Sequence, residues 1–214
     1  MPTLLHLDSS ADLAGGRSRA ITREFARAWT AAGPANEIVH RDLHADPLPH
    51  LADPALHWPP RLRAPDASPP AAAEQLQQQL IEELLAADVL LVGAPLYNYS
   101  LPSTLKAWID HVHVPGVTTP FDTPTQPLRG RPAIVATSQG ASYDAGSPTE
   151  GWDHAVPVLQ IILGEAFGMS VTVLTASLAL AETVPALSES VDRSRAEFAQ
   201  AKQRAAELGA ELGR

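Results

Sequence analysis

The side chains best suited to chemistry lie in a short segment that follows an apolar run. The run Val89–Val92 and the tripeptide Gly93-Ala94-Pro95 precede Leu96-Tyr97-Asn98-Tyr99. Tyrosine offers a flat apolar ring with a polar tip, and asparagine offers both a donor and an acceptor, so this segment suits a planar ligand. In open α/β sheets, ligands bind beyond the carboxyl ends of the strands. The alternative is a surface turn whose tyrosines cover the core.

Two further loops carry polar groups at comparable positions. The first follows the predicted first strand and contains Ser9, Ser10, Gly16, Arg17 and Ser18. Its hydroxyls, its backbone amides and the positive end of a helix beginning at Ser18 suit a monophosphate, to which Arg17 could add one charge. The alternative is that Ser18 only caps its helix and the glycines only turn the chain.

The other loop is Ser138-Gln139-Gly140-Ala141, again after a predicted strand. Gly140 permits a close backbone approach, and Gln139 can donate or accept hydrogen bonds. An ordinary glycine turn is the alternative. Because carboxyl ends of parallel strands meet at one edge of a sheet, we expect the three loops to form one site.

The elements that must position these loops alternate along the chain. Strands are predicted at Leu4–Leu7, Glu37–Asp42, Val89–Val92, Ile134–Thr137 and Val171–Leu174, and helices at about 18–32, 71–87, from Ser103, 155–167 and 188–212. Pro102 followed by Ser103 predicts a helix start at which the serine oxygen accepts from a first-turn amide.

This alternation predicts an α/β fold with helices on both faces of a parallel sheet. Five strands favour the doubly wound, flavodoxin-like order 2-1-3-4-5. We expect a single domain over residues 1–214, with an irregular excursion at about 43–70. The G-x-G-x-x-G and G-x-x-x-x-G-K-[ST] patterns are missing after the first strand, so a dinucleotide or a nucleoside triphosphate is not indicated.

Composition restricts the possible partners. The chain has 214 residues, a formal charge of −9 and no cysteine. The acidic balance argues against nucleic acid and anionic membranes, and the lack of cysteine excludes disulfides and thiolate chemistry. No apolar run reaches the roughly 18 to 20 residues of a membrane span, so we expect a soluble cytoplasmic protein. The eight histidines show no metal-ligand spacing, and no metal site is expected.

The motifs together resemble a known family. They are Ser9-Ser10 with Ser18, Pro95-Leu96-Tyr97-Asn98-Tyr99, Leu101-Pro102-Ser103-x-Leu105-Lys106-x-Trp108-Ile109-Asp110, and Gly116-Val117-Thr118. This set resembles the FMN-dependent NADH azoreductases, also called NADH:quinone oxidoreductases, over nearly the whole chain. The resemblance implies a homodimer with one FMN per subunit near the interface. It also implies ping-pong transfer of a hydride from NADH or NADPH, through FMN, to quinones and aromatic azo compounds.

The resemblance also implies roles for individual residues. FMN would carry the chemistry, and no side chain would be catalytic. The FMN phosphate would be held by Ser10, Gly16, Arg17 and Ser18, the flavin ring by Leu96, Tyr97, Asn98 and Tyr99, and its pyrimidine side by Ser138, Gln139, Gly140 and Ala141. Backbone amides of the Tyr97 and Gly140 loops would point at the N1 and O2 side of the flavin.

The chain also departs from the family pattern. Leu96 and Tyr99 replace the usual methionine and phenylalanine, Gln139 and Ala141 replace arginine and glycine, and Phe121 is displaced. Altered substrate preference is the expected result. Phe121, Tyr143 and Trp58 would line the substrate slot.

Two other functions share the predicted fold. One is a flavodoxin-like electron carrier or regulatory flavoprotein that exchanges electrons with a protein partner. The other is a quinone reductase that uses FAD, which needs extra room beyond the phosphate loop.

Overall fold

The fold is built on a parallel sheet of five strands. The computed structural model describes residues 1–214 and gives the strand order β2-β1-β3-β4-β5. The strands are β1 (Thr3–Asp8), β2 (Glu37–Asp42), β3 (Val89–Gly93), β4 (Pro132–Ser138) and β5 (Ser170–Ala176). The predicted fold class and strand order are confirmed.

Helices cover both faces of the sheet. They are α1 (Arg17–Ala32), α2 (Ala71–Ala86), α3 (Ser103–Val112), α4 (Val156–Leu159) and α5 (Val191–Leu212). One core cluster joins α1 and α5 to the sheet, and a second, larger cluster joins α2, α3 and α4 to the opposite face. None of these helices combines the length and the apolar character that crossing a membrane requires.

Strand β1 lies between β2 and β3 and contributes side chains to both core clusters, because successive side chains point to opposite faces of the sheet. Leu5 and Leu7 belong to the larger cluster, and Leu4 belongs to the cluster under α1 and α5. His6 and Asp8 share the face of Leu4 and are also buried. The strand therefore places two titratable side chains beneath α1, close to its own carboxyl end.

The predicted helix start at Ser103 is confirmed, but the predicted capping of the helix starts is not. Helix α1 begins at Arg17 with Gly16 at the N-cap, and α3 begins at Ser103 with Pro102 at the N-cap; neither has a side-chain cap. Ser18 and Ser103 therefore lie inside the first turn, where helical geometry keeps a side-chain oxygen from capping amides further along. The predicted capping by Ser103 is wrong.

The predicted helix over 155–167 is also different. Only Val156–Leu159 is α-helical, and Gln160–Ala166 continues as a π-helix with wider turns. Gly164 lies inside this segment, and glycine is a poor former of regular helix.

The excursion between β2 and α2 is irregular but packed. It contains two short 3-10 turns, Pro54–His57 and Pro60–Leu62, and buries Leu43 and Leu56. Gln77 of α2 donates to the Leu56 carbonyl at 2.8 Å. The excursion is thus anchored to the helix that leads into β3.

Candidate functional site

The three loops singled out in the sequence meet at the carboxyl edge of the sheet. The Tyr97 hydroxyl lies 3.2 Å from Ser10 Oγ and accepts from the Ala11 amide at 3.0 Å. On the other side, the Leu96 amide donates to the Ser138 carbonyl at 2.8 Å. The loop after β3 therefore contacts both the loop after β1 and the loop after β4.

The loop after β1 presents unpaired hydrogen-bond donors. The backbone amides of Ser10, Gly16, Arg17 and Ser18 have no acceptor within the protein. Ser18 Oγ is buried and also has no partner. Since a helix N-terminus carries unsatisfied amides and a partial positive charge, these groups suit an anion with several oxygens.

Gly16 shapes this loop by lacking a side chain. A Cβ at this position would lie 2.7 Å from the Asp12 carbonyl oxygen and 2.9 Å from Ser10 Oγ. The Asp12 carboxylate is engaged locally, because Oδ1 accepts from the Ala14 and Gly15 amides at 3.2 and 2.7 Å. The free amides of the helix start therefore remain open beside a tightly folded turn.

The side chain of Arg17 points away from these amides. Its Nη1 donates to Ser194 Oγ at 2.8 Å, and its guanidinium lies 5.0 Å from the ring centre of Phe198. The expectation that Arg17 adds a charge beside the phosphate is therefore not met by this conformation. Only the backbone amide of Arg17 faces the proposed site.

The loop after β3 is held in a tight two-residue turn. Tyr97 and Ser100 exchange backbone hydrogen bonds at 3.0 Å, and the two residues between them have positive φ, 48° for Asn98 and 67° for Tyr99. Such a conformation is unfavourable for a bulky residue such as tyrosine and clusters at functional sites. Because the Tyr97 amide is used in the turn, the donors left free are the amides of Asn98 and Tyr99.

In the loop after β4, some polar groups are hydrogen-bonded within the protein and others are free. The buried side chain of Gln139 donates to Asp153 Oδ2 at 2.8 Å and accepts from Ser177 Oγ at 3.1 Å. Its amide and carbonyl are paired as well, with Ala176 and Ala179. The side-chain oxygen, one side-chain N–H and both backbone groups of Gln139 are therefore engaged within the protein, whereas the backbone amides of Gly140 and Ala141 have no acceptor.

Exposed aromatic side chains surround the turn. Tyr97, Tyr99 and Trp152 are each about two-fifths to one-half exposed, and Tyr99 meets Trp152 edge-on at 5.3 Å between ring centres. Trp152 is a surface aromatic that sequence reasoning missed. Its signal is a lone tryptophan in a segment rich in glycine, serine and threonine after β4.

The three predicted slot residues do not lie together. Tyr143 shares a shallow cleft with Gln139 and Asp153. Burial raises the pKa of Tyr143, and the nearby Tyr99 and Asp153 add to the rise. Trp58 and Phe121 instead pack against each other, with 5.2 Å between their ring centres.

Trp58 also lines a separate cleft of about 420 Å³ against α2. That cleft contains no residue of the three loops. The structure therefore places Trp58 in a cleft between the excursion and α2, beside Phe121 and apart from the three loops.

Beneath the loop after β1 lies a cluster of buried and half-buried polar side chains that the linear spacing does not reveal. His6 and His40 each place Nε2 3.2 Å from Asp8 Oδ2, and Thr22 Oγ1 donates to Asp8 Oδ1 at 2.9 Å. Burial alone would raise the pKa of Asp8, but the two histidines and Thr22 hold it well below its usual range.

The side chains of His6, Asp8 and His40 are of types that can bind metals. However, Arg19 Nη1 lies 3.6 Å from the same Asp8 oxygen, and its permanent charge opposes a cation there. The cluster is better described as part of the support beneath the loop.

The arrangement can bind a molecule that is anionic at one end and flat at the other. Free amides and the Ser18 hydroxyl would receive the anion, and the turn at Asn98 and Tyr99 would receive the flat part. The amides of Gly140 and Ala141 supply further donors at the edge of that flat part.

Comparison with known proteins agrees with this geometry. A family model described as the flavodoxin-like fold matches residues 2–208. An FMN-dependent NADH:quinone oxidoreductase of Kineococcus radiotolerans is 57% identical over 212 residues, which cover 99% of this chain and 100% of that protein. One of Streptomyces avermitilis is 38% identical over 222 residues, covering 99% of this chain and 97% of that protein.

Solved structures show the same fold. An azoreductase from Bacillus anthracis superposes with a TM-score of 0.81 at 18% identity, covering 99% of this chain and 100% of that one. An FMN-dependent NADH-azoreductase from the same species, in complex with FMN, has a TM-score of 0.76 at 15% identity, covering 98% of this chain and 100% of that one. By identity and coverage of its sequence relatives, the chain belongs to the flavodoxin-like fold family and, within it, to the FMN-dependent NADH:quinone oxidoreductases.

Proposed function

We propose that the three loops bind FMN, with its phosphate on the start of α1 and its ring against the turn after β3. The observation that carries the proposal is the set of unpaired amides around the buried, unpartnered hydroxyl of Ser18. Phosphate oxygens satisfy such donors. The residues proposed to hold FMN are Ser10, Gly16, Arg17 through its backbone, Ser18, Leu96, Tyr97, Asn98, Tyr99, Ser138, Gly140 and Ala141.

Gln139 has a different role in this proposal. Its amide links the end of β4 to Asp153, and the Asp153 carboxylate accepts from the Ala155 and Val156 amides at the start of α4. Gln139 therefore supports the shape of the loop that carries the Gly140 and Ala141 amides.

The proposed reaction is the transfer of a hydride from NADH or NADPH to quinones and aromatic azo compounds. When bound, FMN supplies the redox chemistry, so no side chain has to act as an acid, a base or a nucleophile. The chain supplies geometry and electrostatics. Fixed donors such as the amides of Asn98 and Gly140 stabilise negative charge where it develops, because they need no reorganisation.

The flat slot is proposed to serve both substrates in turn. Tyr99 and Trp152 offer an exposed aromatic wall beside the turn. A nicotinamide and a quinone are both planar, so one wall can contact each of them by stacking. Occupation of one slot by two substrates in succession is the basis of a ping-pong cycle.

We further infer that the protein acts as a homodimer in the cytoplasm, with FMN near the interface. Phe121, Trp152, Ile161 and Leu180 are each about one-half to two-thirds exposed, and a second copy would cover such apolar groups. The cytoplasmic assignment follows from the need for a pool of reduced nicotinamide. Sedimentation of the protein and of Ile161→Arg tests the dimer: a dimeric parent and a monomeric variant are expected, and a monomeric parent contradicts the inference.

The reaction is tested by the colour of the purified protein. We expect a yellow protein that bleaches with NADH under nitrogen and regains its colour when a quinone is added. Bleaching only in the presence of a reductase partner would instead indicate an electron carrier. Released flavin that proves to be FAD would overturn the FMN assignment, and protein without affinity for any flavin would overturn the whole proposal.

A further inference from the structure

Arg19 is a buried arginine on the inner side of α1, and its guanidinium joins three parts of the chain. Nη2 and Nε donate to the Ser10 carbonyl at 2.7 and 3.2 Å. Nη1 and Nη2 donate to the two carboxylate oxygens of Asp42 at 2.7 and 2.8 Å. The side chain of Arg19 is only 7% exposed, so these partners replace water almost completely.

The donors of Arg19 serve groups of the protein. Nε and Nη2 donate to Ser10, and Nη1 and Nη2 donate to Asp42, so four of the five N–H donors of the guanidinium are used. Nη1 also lies 3.6 Å from Asp8 Oδ2 in an ion pair. We therefore expect Arg19 to act on a ligand through these partners.

Its partners are the two strand ends at the edge of the sheet and the loop that carries the free amides. Asp42 is the last residue of β2, and Ser10 is the second residue after β1. The Arg19 hydrogen bond is the main reason that the pKa of Asp42 falls to about 2, so the carboxylate stays ionised and paired. Removing one member of a buried charged pair leaves the other without compensation.

Ser10 connects Arg19 to the rest of the β1–α1 loop through its own hydrogen bonds. Its hydroxyl accepts from the Asp12 amide at 3.2 Å and lies 3.2 Å from the Tyr97 hydroxyl. Fixing the Ser10 carbonyl therefore sets the path of the loop that leads to Gly16, whereas the turn after β3 is held by its own hydrogen bonds between Tyr97 and Ser100.

We propose that Arg19, held by Asp42, is a positioning residue that sets the β1–α1 loop in the conformation able to receive the phosphate of FMN. This inference rests on the proposed function. In this proposal, Arg19 raises the affinity for the phosphate without contacting it. A lysine cannot replace Arg19, because a single ammonium group cannot hold the Ser10 carbonyl and both Asp42 oxygens in one plane.

The test compares FMN with riboflavin, which has the same ring but no phosphate. Apoprotein of the full chain, freed of flavin, is titrated with each compound and the quenching of flavin fluorescence is followed. We expect Arg19→Lys to weaken FMN binding by about tenfold or more, since charge-assisted hydrogen bonds position the loop. Riboflavin binding should change by less than about twofold, because the ring contacts are unaffected.

Two further variants keep the test decisive. Arg23 is exposed one turn further along α1 and makes no ion pair, so Arg23→Lys is the matched control. It should leave the affinities for FMN and for riboflavin unchanged. If Arg19→Lys does not fold, Asp42→Asn removes the charge of the partner with little change of shape, and it should produce the same selective loss for FMN.

The possible results separate the two proposals. Equal weakening of FMN and riboflavin, or no weakening of either, would show that Arg19 does not act through the phosphate loop. A parent apoprotein that binds neither flavin would instead overturn the proposed function itself.

Discussion

The two ends of the proposed site are built differently. At the tail end, comprising residues 9–19 with Asp42, buried charges fix the loop and leave backbone amides free. At the ring end, comprising residues 96–99 and 138–154, aromatic side chains such as Tyr99 and Trp152 remain about half exposed. The chain alone thus supplies the donors of the proposed phosphate site, whereas the proposed site for a planar ring is open on one side.

This difference predicts where affinity and selectivity arise. Amides held in place by a buried network bind an anion without further ordering, so the tail end should supply most of the affinity for FMN. Exposed aromatic side chains contact whatever planar molecule enters, so the ring end should determine which acceptor is used. Substitutions at the two ends should therefore affect different measurements.

The largest effect is expected from Gly16→Ala. Its methyl group would lie 2.7 Å from the Asp12 carbonyl oxygen, so the turn must move away from the free amides. Overpacking of this kind costs about 1–3 kcal/mol. If the FMN-bound form carries the whole cost, FMN binding measured by calorimetry weakens by about fivefold to 150-fold.

Gly164→Ala is the matched control for this variant. A Cβ at Gly164 meets only Val171 Cγ2, at an ordinary contact distance of 3.7 Å. FMN binding should be retained there. Unchanged FMN binding by Gly16→Ala would show that the tail end does not need this close turn.

Ser18→Ala should weaken FMN binding by about tenfold, because a hydrogen bond to a charged oxygen is lost. The apoprotein should not lose thermal stability, since the buried Ser18 hydroxyl has no partner within the protein. Calorimetric melting of the apoprotein, with and without FMN, measures both quantities. A lower melting temperature of the apoprotein would indicate that the hydroxyl has a structural role instead.

Trp152→Ala tests the ring end. The variant removes the edge-on contact with Tyr99, and such aromatic pairs contribute about 0.5–1.5 kcal/mol. We expect KM for a quinone to rise by about twofold to tenfold, while FMN affinity stays nearly constant. A larger change in FMN affinity than in KM would remove the distinction between the two ends.

The smallest effect concerns the ionisation of Tyr143. Because burial raises its pKa, the phenol keeps its proton at pH values where an ordinary tyrosine has begun to lose it. In an alkaline titration of apoprotein absorbance, Tyr143→Phe should remove a phenolate that appears above the pH range of an ordinary tyrosine. Loss of a phenolate that appears within or below that range would contradict the described environment of Tyr143.

The sequence predicts most of the fold and the meeting of the three loops that form the candidate site. The spacing of apolar residues and the turns that follow each strand are local features, so strands such as Val89–Gly93 and the loops after them are found without coordinates. The meeting of Ser10, Leu96 and Ser138 at one edge follows from the strand order, and the hydrogen bonds between their loops confirm it.

The supporting network beneath the loop could not be predicted in the same way. Arg19 depends on Asp42, which lies beside Asp8 only because β1 and β2 pair in a particular register. The commitment of Gln139 to Asp153 likewise depends on how the segment after β4 folds back. Both contacts join residues that are distant in sequence, and local patterns do not encode them.

A crystal structure of the protein grown with FMN tests the central claim most directly. The account predicts the phosphate within hydrogen-bond distance of the Gly16, Arg17 and Ser18 amides, and the ring beside Asn98, Tyr99 and Gly140. A flavin bound elsewhere, or a phosphate held by side chains while those amides stay unpaired, would contradict it.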